Sequence, residues 1–172
     1  MNEPRVVGID PSLSATGIAH WNGQLDTRPP RKGLTGVDRI RDIRAQLITV
    51  AQSAHLVVIE GPAYSRQLGA GHHEAAGLWW AIVDIVHTRD IPYAVVPPTT
   101  LKKYATGRGN AAKPDMRMAL YRRTGVDVGD DNEVDAAWLR AMGLDRLGAA
   151  EFAVPKAQRD ALGKVDWPEV AT

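Results

Sequence analysis

The chain contains no cysteine. This absence excludes disulfide bonds, thiolate metal sites and a cysteine nucleophile, and it favours a reducing compartment. The sequence also lacks an apolar run long enough to cross a bilayer. Its first residues do not show the charged-then-apolar pattern of a secretory signal peptide. We therefore expect a cytoplasmic protein that does not associate with a membrane.

Neither sign of charge is in excess, because 21 Lys and Arg residues face 20 Asp and Glu residues, a net charge of +1. That balance gives no information about a polyanionic partner. Only the distribution of charge along the chain can indicate such a partner. A length of 172 residues suits one domain with a sizeable core. We predict that domain over residues 1–147. Periodicity is weak beyond it, which predicts a peripheral or flexible C-terminal tail over 148–172.

Short apolar segments alternate with helical patterns, which predicts an α/β fold. The predicted strands cover residues 5–10, 15–21, 24–28, 55–60 and 91–96. The first three are expected to be antiparallel, with a hairpin turn at Asn22-Gly23. The last two follow helical patterns over 37–50 and 74–88, so we expect them to be parallel. The result is a mixed five-stranded sheet flanked by helices.

Two carboxylates end predicted buried strands: Asp10 follows the first strand and Glu60 follows the fourth. Burying an unpaired charge is strongly unfavourable, so each acid needs a reason to be there. Either one alone could cap a helix or pair with an arginine. That explanation weakens when both acids occupy equivalent strand ends.

A second group of acids begins the last predicted helix. The helix dipole alone accounts for Asp130, Asp131 and Glu133, which lie at the N-terminus. Asp135 lies a full turn further in and shares a face with Asp131, four residues earlier. If that face meets the two strand ends, four carboxylates converge and require a cation. Hard oxygen ligands favour Mg²⁺ or Mn²⁺, and two such ions can support phosphodiester cleavage.

Basic residues concentrate between Leu101 and Arg123, where seven Lys and Arg residues accompany one acid. Four of them bracket a Gly-x-Gly loop, which would let the backbone approach a phosphate: Lys102, Lys103, Arg108 and Lys113. The alternative is a solvated helical face. Tyr64 and Arg66 follow the Glu60 strand and could stack on a base, although packing of Tyr64 on its own domain is an equal alternative.

These motifs resemble those of the RuvC-type Holliday junction resolvases of the ribonuclease H-like superfamily, and they occur along the chain in the same order as in that family. The resemblance rests on residues 7–12 (VGIDPS), 58–61 (VIEG), 96–102 (VPPTTLK), 107–113 (GRGNAAK) and 135–137 (DAA). It implies a ribonuclease H-like fold and a homodimer that cuts four-way DNA junctions with divalent metals. It also implies that Asp10, Glu60 and Asp135 are metal ligands, that Lys102 and Lys113 contact DNA or support catalysis, and that Tyr64 lies near the crossover.

One position departs from the family pattern, which has an acid three residues before the last aspartate. Asn132 occupies that position here, and the nearest acid on the same helix face is Asp131. We therefore predict Asp131 as the fourth ligand, with Asp130 and Asn132 as alternatives. The shift leaves open an altered metal stoichiometry or a wider range of branched substrates. A divergent, phage-encoded resolvase would suit this pattern.

The sequence thus predicts an Mg²⁺- or Mn²⁺-dependent endodeoxyribonuclease with two ions per active site, acting as a homodimer on branched DNA. The predicted catalytic residues are Asp10, Glu60, Asp131, Asp135 and Lys113, and the four acids among them are the predicted metal ligands. The predicted DNA contacts are Ser12, Tyr64, Arg66, Lys102, Lys103, Arg108 and Lys113. Two alternatives are a junction-binding protein with reduced or lost catalysis and half of an actin-like ATPase, for which the chain is short. No helicase partner is identified.

Overall fold

A computed structural model of the protein describes residues 3–62 and 71–170. Its strands are β1 (Val6–Asp10), β2 (Thr16–Ala19), β3 (Leu25–Arg28), β4 (Leu56–Glu60) and β5 (Tyr93–Val96). Its helices are α1 (Gly36–Ala51), α2 (His72–His87), α3 (Pro98–Thr106), α4 (Lys113–Thr124), α5 (Asp131–Arg146) and the short α6 (Lys156–Arg159). A 3₁₀ turn over Asp160–Lys164 follows α6.

The five strands form one sheet in the order β3-β2-β1-β4-β5. Strands β1, β2 and β3 pair antiparallel, whereas β4 pairs parallel with both β1 and β5. Short turns join the first three strands, and the helices α1 and α2 cross over to the later two, as the pairing directions require. The predicted mixed five-stranded sheet, three strands antiparallel and two parallel, is confirmed.

The sheet is covered on both faces, which explains why β1 is apolar up to its last residue, Asp10. Alternate residues of a strand point to opposite faces. Val7 and Ile9 join a core beneath α1 and α2, whereas Val6 joins a second core beneath α3, α4 and α5. Every residue of β1 is buried as a result. None of the helices in the described part of the chain is long and apolar enough to span a membrane.

Helix α5 lies directly on the backbone of the sheet, because two glycines remove the side chains that would separate them. A Cβ atom at Gly8 would overlap the carbonyl oxygen of Ala136, and one at Gly17 would overlap the carbonyl oxygen of Asn132. Only glycine fits at such a contact. The first turns of α5 are therefore held against β1 and β2, beside the end of β1 that carries Asp10.

The segment beyond α5, for which we expected a peripheral or flexible tail, folds onto the domain. Ala161 and Val165 are buried, and Phe152 and Trp167 pack against the same core as α5. The Phe152 ring meets Trp138 edge-on at 5.7 Å between ring centroids. Part of this segment is irregular backbone, so its apolar residues show no periodicity in the sequence. The domain boundary at residue 147 stays a prediction.

Candidate active site

Two neighbouring strands place Asp10 and Glu60 side by side. Ile9 of β1 is in register with Ile59 of β4, and the strands run parallel, so the next residue of each lies at the same edge of the sheet. Besides burial, the charge of Glu60 and hydrogen bonding with it help to raise the pKa of Asp10, which indicates that the two carboxyl groups lie close together. Asp10 is only 6% exposed. The structure therefore places the buried carboxyl group of Asp10 beside the half-buried Glu60.

Asp135 joins this pair from α5. Burial, followed by repulsion from Glu60 and Asp135, raises the pKa of Asp10 well above its usual value. The pKa of Asp135 is raised to about 7, chiefly by burial and then by the charge of Glu60. Repulsion of this kind acts only between groups that are close together. The structure thus brings together three of the four predicted ligands.

The fourth predicted ligand, Asp131, lies at the more exposed side of this cluster and pairs with Lys113. The Lys113 Nζ atom is 3.0 Å from the carboxylate of Asp131. This contact is the main cause of a raised Lys113 pKa, and the charges of Asp135 and Asp10 raise it further. Lys113 begins α4 and is 65% exposed. It therefore reaches the acids while remaining open to a ligand.

Asp130, Asp131 and Asn132, at the start of α5, make different contacts. These contacts explain what Asn132 does at the position where the family pattern has an acid. Asp130 caps the helix by accepting hydrogen bonds from the backbone N–H groups of Asn132 and Glu133. The Asn132 side-chain amide donates to the backbone carbonyl of Ala15 at 2.8 Å. An ionised aspartate could not donate that bond. Asn132 thus fastens α5 to the turn between β1 and β2, and Asp131 is the acid next to Lys113.

The turn after Asp10 is tied by its own hydroxyl groups. The Thr16 hydroxyl donates to the backbone carbonyl of Ser12 at 3.0 Å, and the hydroxyls of Ser12 and Ser14 lie 2.9 Å apart. Ser12, a predicted DNA contact, is half-buried in this turn. Glu60 has a comparable backbone support that the sequence did not reveal, because the Trp79 indole N–H donates to the Glu60 carbonyl at 2.9 Å.

The basic residues lie on α3, on α4 and in the loop between them. The positive charge of Lys102, on α3, lowers the pKa of Asp135, so Lys102 acts on the acid cluster as Lys113 does. Lys103 and Arg108 are exposed, and Arg108 forms an ion pair with Asp115 at 2.8 Å. The structure thus brings Lys102 and Lys113 to the acids, while Lys103 and Arg108 extend the basic surface. Tyr64 and Arg66 lie outside the described residues.

The acid cluster has the donor chemistry of a divalent-cation site. Within residues 3–62 and 71–170, no three His, Asp or Glu side chains already form a group that could hold a metal ion. The carboxyl groups of Asp10 and Asp135 instead favour their protonated forms, because burial and repulsion raise their pKa values. A bound divalent cation takes the place of such protons and removes the repulsion. Carboxylates are the type of ligand that Mg²⁺ and Mn²⁺ prefer, which is all that the described residues show about a metal.

No protein-family model matches the sequence, and no curated protein matches it. Solved structures do match. A structure of RuvC from Thermus thermophilus superposes with a TM-score of 0.65 and 19% identity, covering 87% of this chain and 99% of that one. T. thermophilus RuvC in complex with a Holliday junction substrate gives a TM-score of 0.69 and 17% identity, with the same coverage. The predicted fold is confirmed: this chain has the α/β, ribonuclease H-like fold of RuvC.

Proposed function

We propose that this protein is a metal-dependent, structure-selective endonuclease that hydrolyses phosphodiester bonds in four-way junctions and other branched DNA. One observation carries the proposal: buried Asp10 lies beside Glu60 and close to Asp135, at the strand ends of a RuvC-like fold. Acids whose pKa values are raised by burial and by neighbouring charges cluster at functional sites. The matching RuvC structure with a Holliday junction supports the choice of substrate.

The proposed metal ligands are Asp10, Glu60, Asp131 and Asp135, holding Mg²⁺ or Mn²⁺, two ions per site. Bound there, such ions supply an activated water and stabilise the leaving oxygen of the phosphodiester. The protein's own part is to hold the acids together and to keep bulk water away from Asp10. Lys113, beside Asp131, is placed to neutralise a phosphate as it approaches.

The proposed DNA surface consists of the basic residues around the acid cluster. Lys102, Lys103, Arg108 and Lys113 would contact the phosphate backbone, which positions the DNA without reading its sequence. The proposed surface also includes Ser12, Tyr64 and Arg66, which are predicted from the sequence. Because such binding releases counterions, junction affinity should fall steeply as salt increases.

Resolution of a four-way junction needs two cuts, so we propose that the protein acts as a homodimer. The exposed residue Trp80 on α2 is a candidate contact between subunits, since 65% of it is open to solvent. Ile82, on the same helix, cannot serve, because it is buried in the core of its own subunit. A second subunit would cover the indole and bring a second active site to the junction.

The test is a substrate panel with a four-way junction, a three-way junction, a flap and a linear duplex, each with Mg²⁺, Mn²⁺ or EDTA. Paired, symmetric nicks in the four-way junction are expected with either metal and none in EDTA. Asp10→Asn and Glu60→Gln should bind the junction without cutting it. Glu133→Gln is the control. Glu133 lies near the start of α5, and its pKa is raised by burial and by the charges of Asp130 and Asp26, not by those of the cluster.

The outcomes separate the candidate functions. Binding of the junction without cutting by the wild-type protein, in both metals, would favour a junction-binding protein with lost catalysis. Full cutting activity in Asp10→Asn would remove the acid cluster from the mechanism. Preference for the linear duplex over every branched substrate would contradict the proposed selectivity.

A further inference from the structure

The C-terminal segment contacts both helices that flank the basic loop. We call residues 107–112, between α3 and α4, the basic loop; it leads directly into Lys113. Helix α3 ends at Thr106 and α4 begins at Lys113, so the positions of these two helices determine where the loop lies. Arg159 of α6 forms an ionic contact with Asp145 of α5, which in turn binds Tyr104 of α3. Gln158 of α6 forms an amide contact with the last turn of α4.

The ionic contact centres on Asp145, a buried carboxylate near the end of α5. Arg159 of α6 donates two hydrogen bonds to it, from Nε at 2.9 Å and from Nη2 at 2.5 Å. The Tyr104 hydroxyl of α3 donates a third at 3.0 Å. The Asp145 side chain is only 2% exposed. Two parallel N–H···O bonds fix direction as well as distance, so this fork joins α6 firmly to α5 and α3.

The amide contact centres on Gln158, the residue before Arg159. Its side-chain oxygen accepts a hydrogen bond from Arg123, in the last turn of α4, at 2.8 Å. Its side-chain nitrogen lies 3.5 Å from the place that a Cβ atom of Gly107 would occupy, at the first residue of the basic loop. The Arg123 guanidinium also lies over the Trp138 ring of α5, 5.3 Å from its centroid. Gln158 thus binds the end of α4 and lies beside the first residue of the loop.

We propose that Asp145, Gln158 and Arg159 act as positioning residues that hold α3, α4 and the basic loop in the arrangement required to engage DNA. This inference rests on the proposed function. The clamp formed by these three residues makes no direct contact with the acid cluster in the described part of the chain. Its effect passes through α3, which carries Lys102, and through the loop, which carries Arg108 and leads to Lys113. Other contacts also hold this region: Arg108 pairs with Asp115, the Thr106 hydroxyl bonds to the Arg108 backbone, and core residues pack α3 and α4. The clamp adds the contacts that join these two helices to α6.

Three substitutions separate positioning from simple electrostatics. Gln158→Ala changes no charge, yet it should weaken junction binding about three- to tenfold. Asp145→Asn removes a negative charge, which by electrostatics alone would strengthen DNA binding, whereas loss of the clamp should weaken it. Arg159→Lys keeps the positive charge but loses the paired hydrogen bonds, because an ammonium group cannot reproduce the guanidinium fork.

The matched control is Glu151→Gln. Glu151 also belongs to the C-terminal segment and also accepts two hydrogen bonds from an arginine of α5, namely Arg140, at 2.6 and 3.0 Å. Arg140 additionally donates to the backbone carbonyl of Trp21, on the far side from the basic loop. Glu151→Gln therefore breaks an equivalent fork and should leave junction affinity at the wild-type value.

The measurement is junction affinity by fluorescence anisotropy in EDTA, over a salt series. The slope of log affinity against log salt reports the number of phosphates neutralised, and each lost contact lowers it by about one. We expect that decrease in the three clamp variants and not in Glu151→Gln. Slopes and affinities at the wild-type value in all three variants would overturn the proposal. The proposal would also be overturned if Arg159→Lys bound the junction with wild-type affinity while Arg159→Ala bound it more weakly. Those two results together would indicate that Arg159 contacts a phosphate directly.

A second measurement needs no DNA and keeps the clamp separate from the proposed function. Amide hydrogen exchange of residues 107–113 should be faster in Gln158→Ala and Asp145→Asn than in the wild type, and unchanged in Glu151→Gln. If the wild type bound no branched DNA, the proposed function would fail. Amide hydrogen exchange alone would then show whether the clamp holds the basic loop in place. Unchanged exchange in both clamp variants would refute it. Gln158→Ala keeps the test possible if Asp145→Asn folds poorly.

Discussion

Helix α5 carries two desolvated aspartates ten residues apart, Asp135 near its beginning and Asp145 near its end, and their surroundings are opposite. Asp145 accepts a guanidinium fork from Arg159 and a hydrogen bond from Tyr104. Asp135 is half-buried close to Glu60, and its pKa is raised to about 7. An acid with a full set of donors stabilises the folded chain, whereas an acid held against other acids opposes folding. Asp145 therefore has the surroundings of a structural residue, whereas Asp135 has those of a functional residue.

The largest expected difference between the two aspartates is in cleavage. Asp135→Asn should lower the rate of junction cutting at saturating DNA by at least about 1,000-fold, on the order of 4 kcal/mol in activation free energy, because it removes a proposed metal ligand. Asp145→Asn should stay within about tenfold of the wild type at saturating DNA. Single-turnover cleavage of a four-way junction measures both. Comparable cleavage rates in the two variants would contradict the proposal that Asp135 takes part in cleavage and Asp145 does not.

Stability should rank the two variants in the opposite order. Asp145→Asn breaks an ion pair in which Asp145 is buried and Arg159 is half-exposed. It should lower the free energy of unfolding by about 3 kcal/mol. This value is at the low end of the range for buried ion pairs, because Arg159 is partly solvated. Asp135→Asn should not destabilise the metal-free protein, because it removes repulsion. Urea unfolding in EDTA gives both values. A loss of stability in Asp135→Asn as large as in Asp145→Asn would show that Asp135 is structural.

The pH dependence of stability should come from the Asp135 end of the helix. A carboxyl group whose pKa is raised in the folded state binds its proton more tightly there than in the unfolded chain. Its contribution to stability is present at low pH and is lost as the pH rises through about 7. In EDTA the protein should therefore lose about 2 kcal/mol of stability between pH 5 and pH 8, as measured by thermal or urea unfolding.

Two controls sharpen this pH prediction. Mg²⁺ or Mn²⁺ should reduce the pH dependence by taking the place of the protons, and Asp135→Asn should flatten it in EDTA. Asp10, whose pKa is also raised, should leave part of the slope in that variant. A metal-free stability that increases from pH 5 to pH 8 would contradict the raised pKa values and the arrangement of acids behind them.

The smallest expected effect concerns Lys113, which lies at the exposed edge of the Asp135 end. Lys113→Met keeps the length of the side chain but removes its charge, so the variant should cut about tenfold more slowly or bind the junction with a lower salt slope. The control is Arg117→Met, one turn further along α4, where Arg117 pairs with Asp127 and not with the cluster. Wild-type rate and salt dependence in Lys113→Met would remove Lys113 from the site.

Strand-end position and helical spacing were sufficient to predict the acid cluster. Asp10 and Glu60 follow short β-branched runs, and adjacent parallel strands bring their ends to one edge. Asp131 and Asp135 are one helical turn apart, so the sequence predicts their shared face. Both signals are local or follow from sheet topology. The strands and the main helices were predictable for the same reason, because alternation and helical periodicity are strong in them.

The remaining contacts depend on tertiary structure and leave no local signal. The pairing of Asp145 with Arg159 joins α5 to a helix of one turn, and the bond from Asn132 to Ala15 joins residues 117 positions apart in the chain. The C-terminal segment packs Phe152 and Trp167 from irregular backbone, which has no period to detect. The sequence therefore predicted which acids form the candidate site, but not which residues hold the helices that carry it.

The contact of α5 with Gly8 and Gly17 has a consequence for how far this sequence can diverge. Main-chain atoms meet main-chain atoms there, so the spacing between Asp10 and Asp135 is set without any side chain in between. Apolar residues elsewhere in the core can be exchanged for others of similar volume while that spacing is kept. A lineage could thus replace most of its interior and retain the geometry of the acids, provided that these two positions never acquire a Cβ atom.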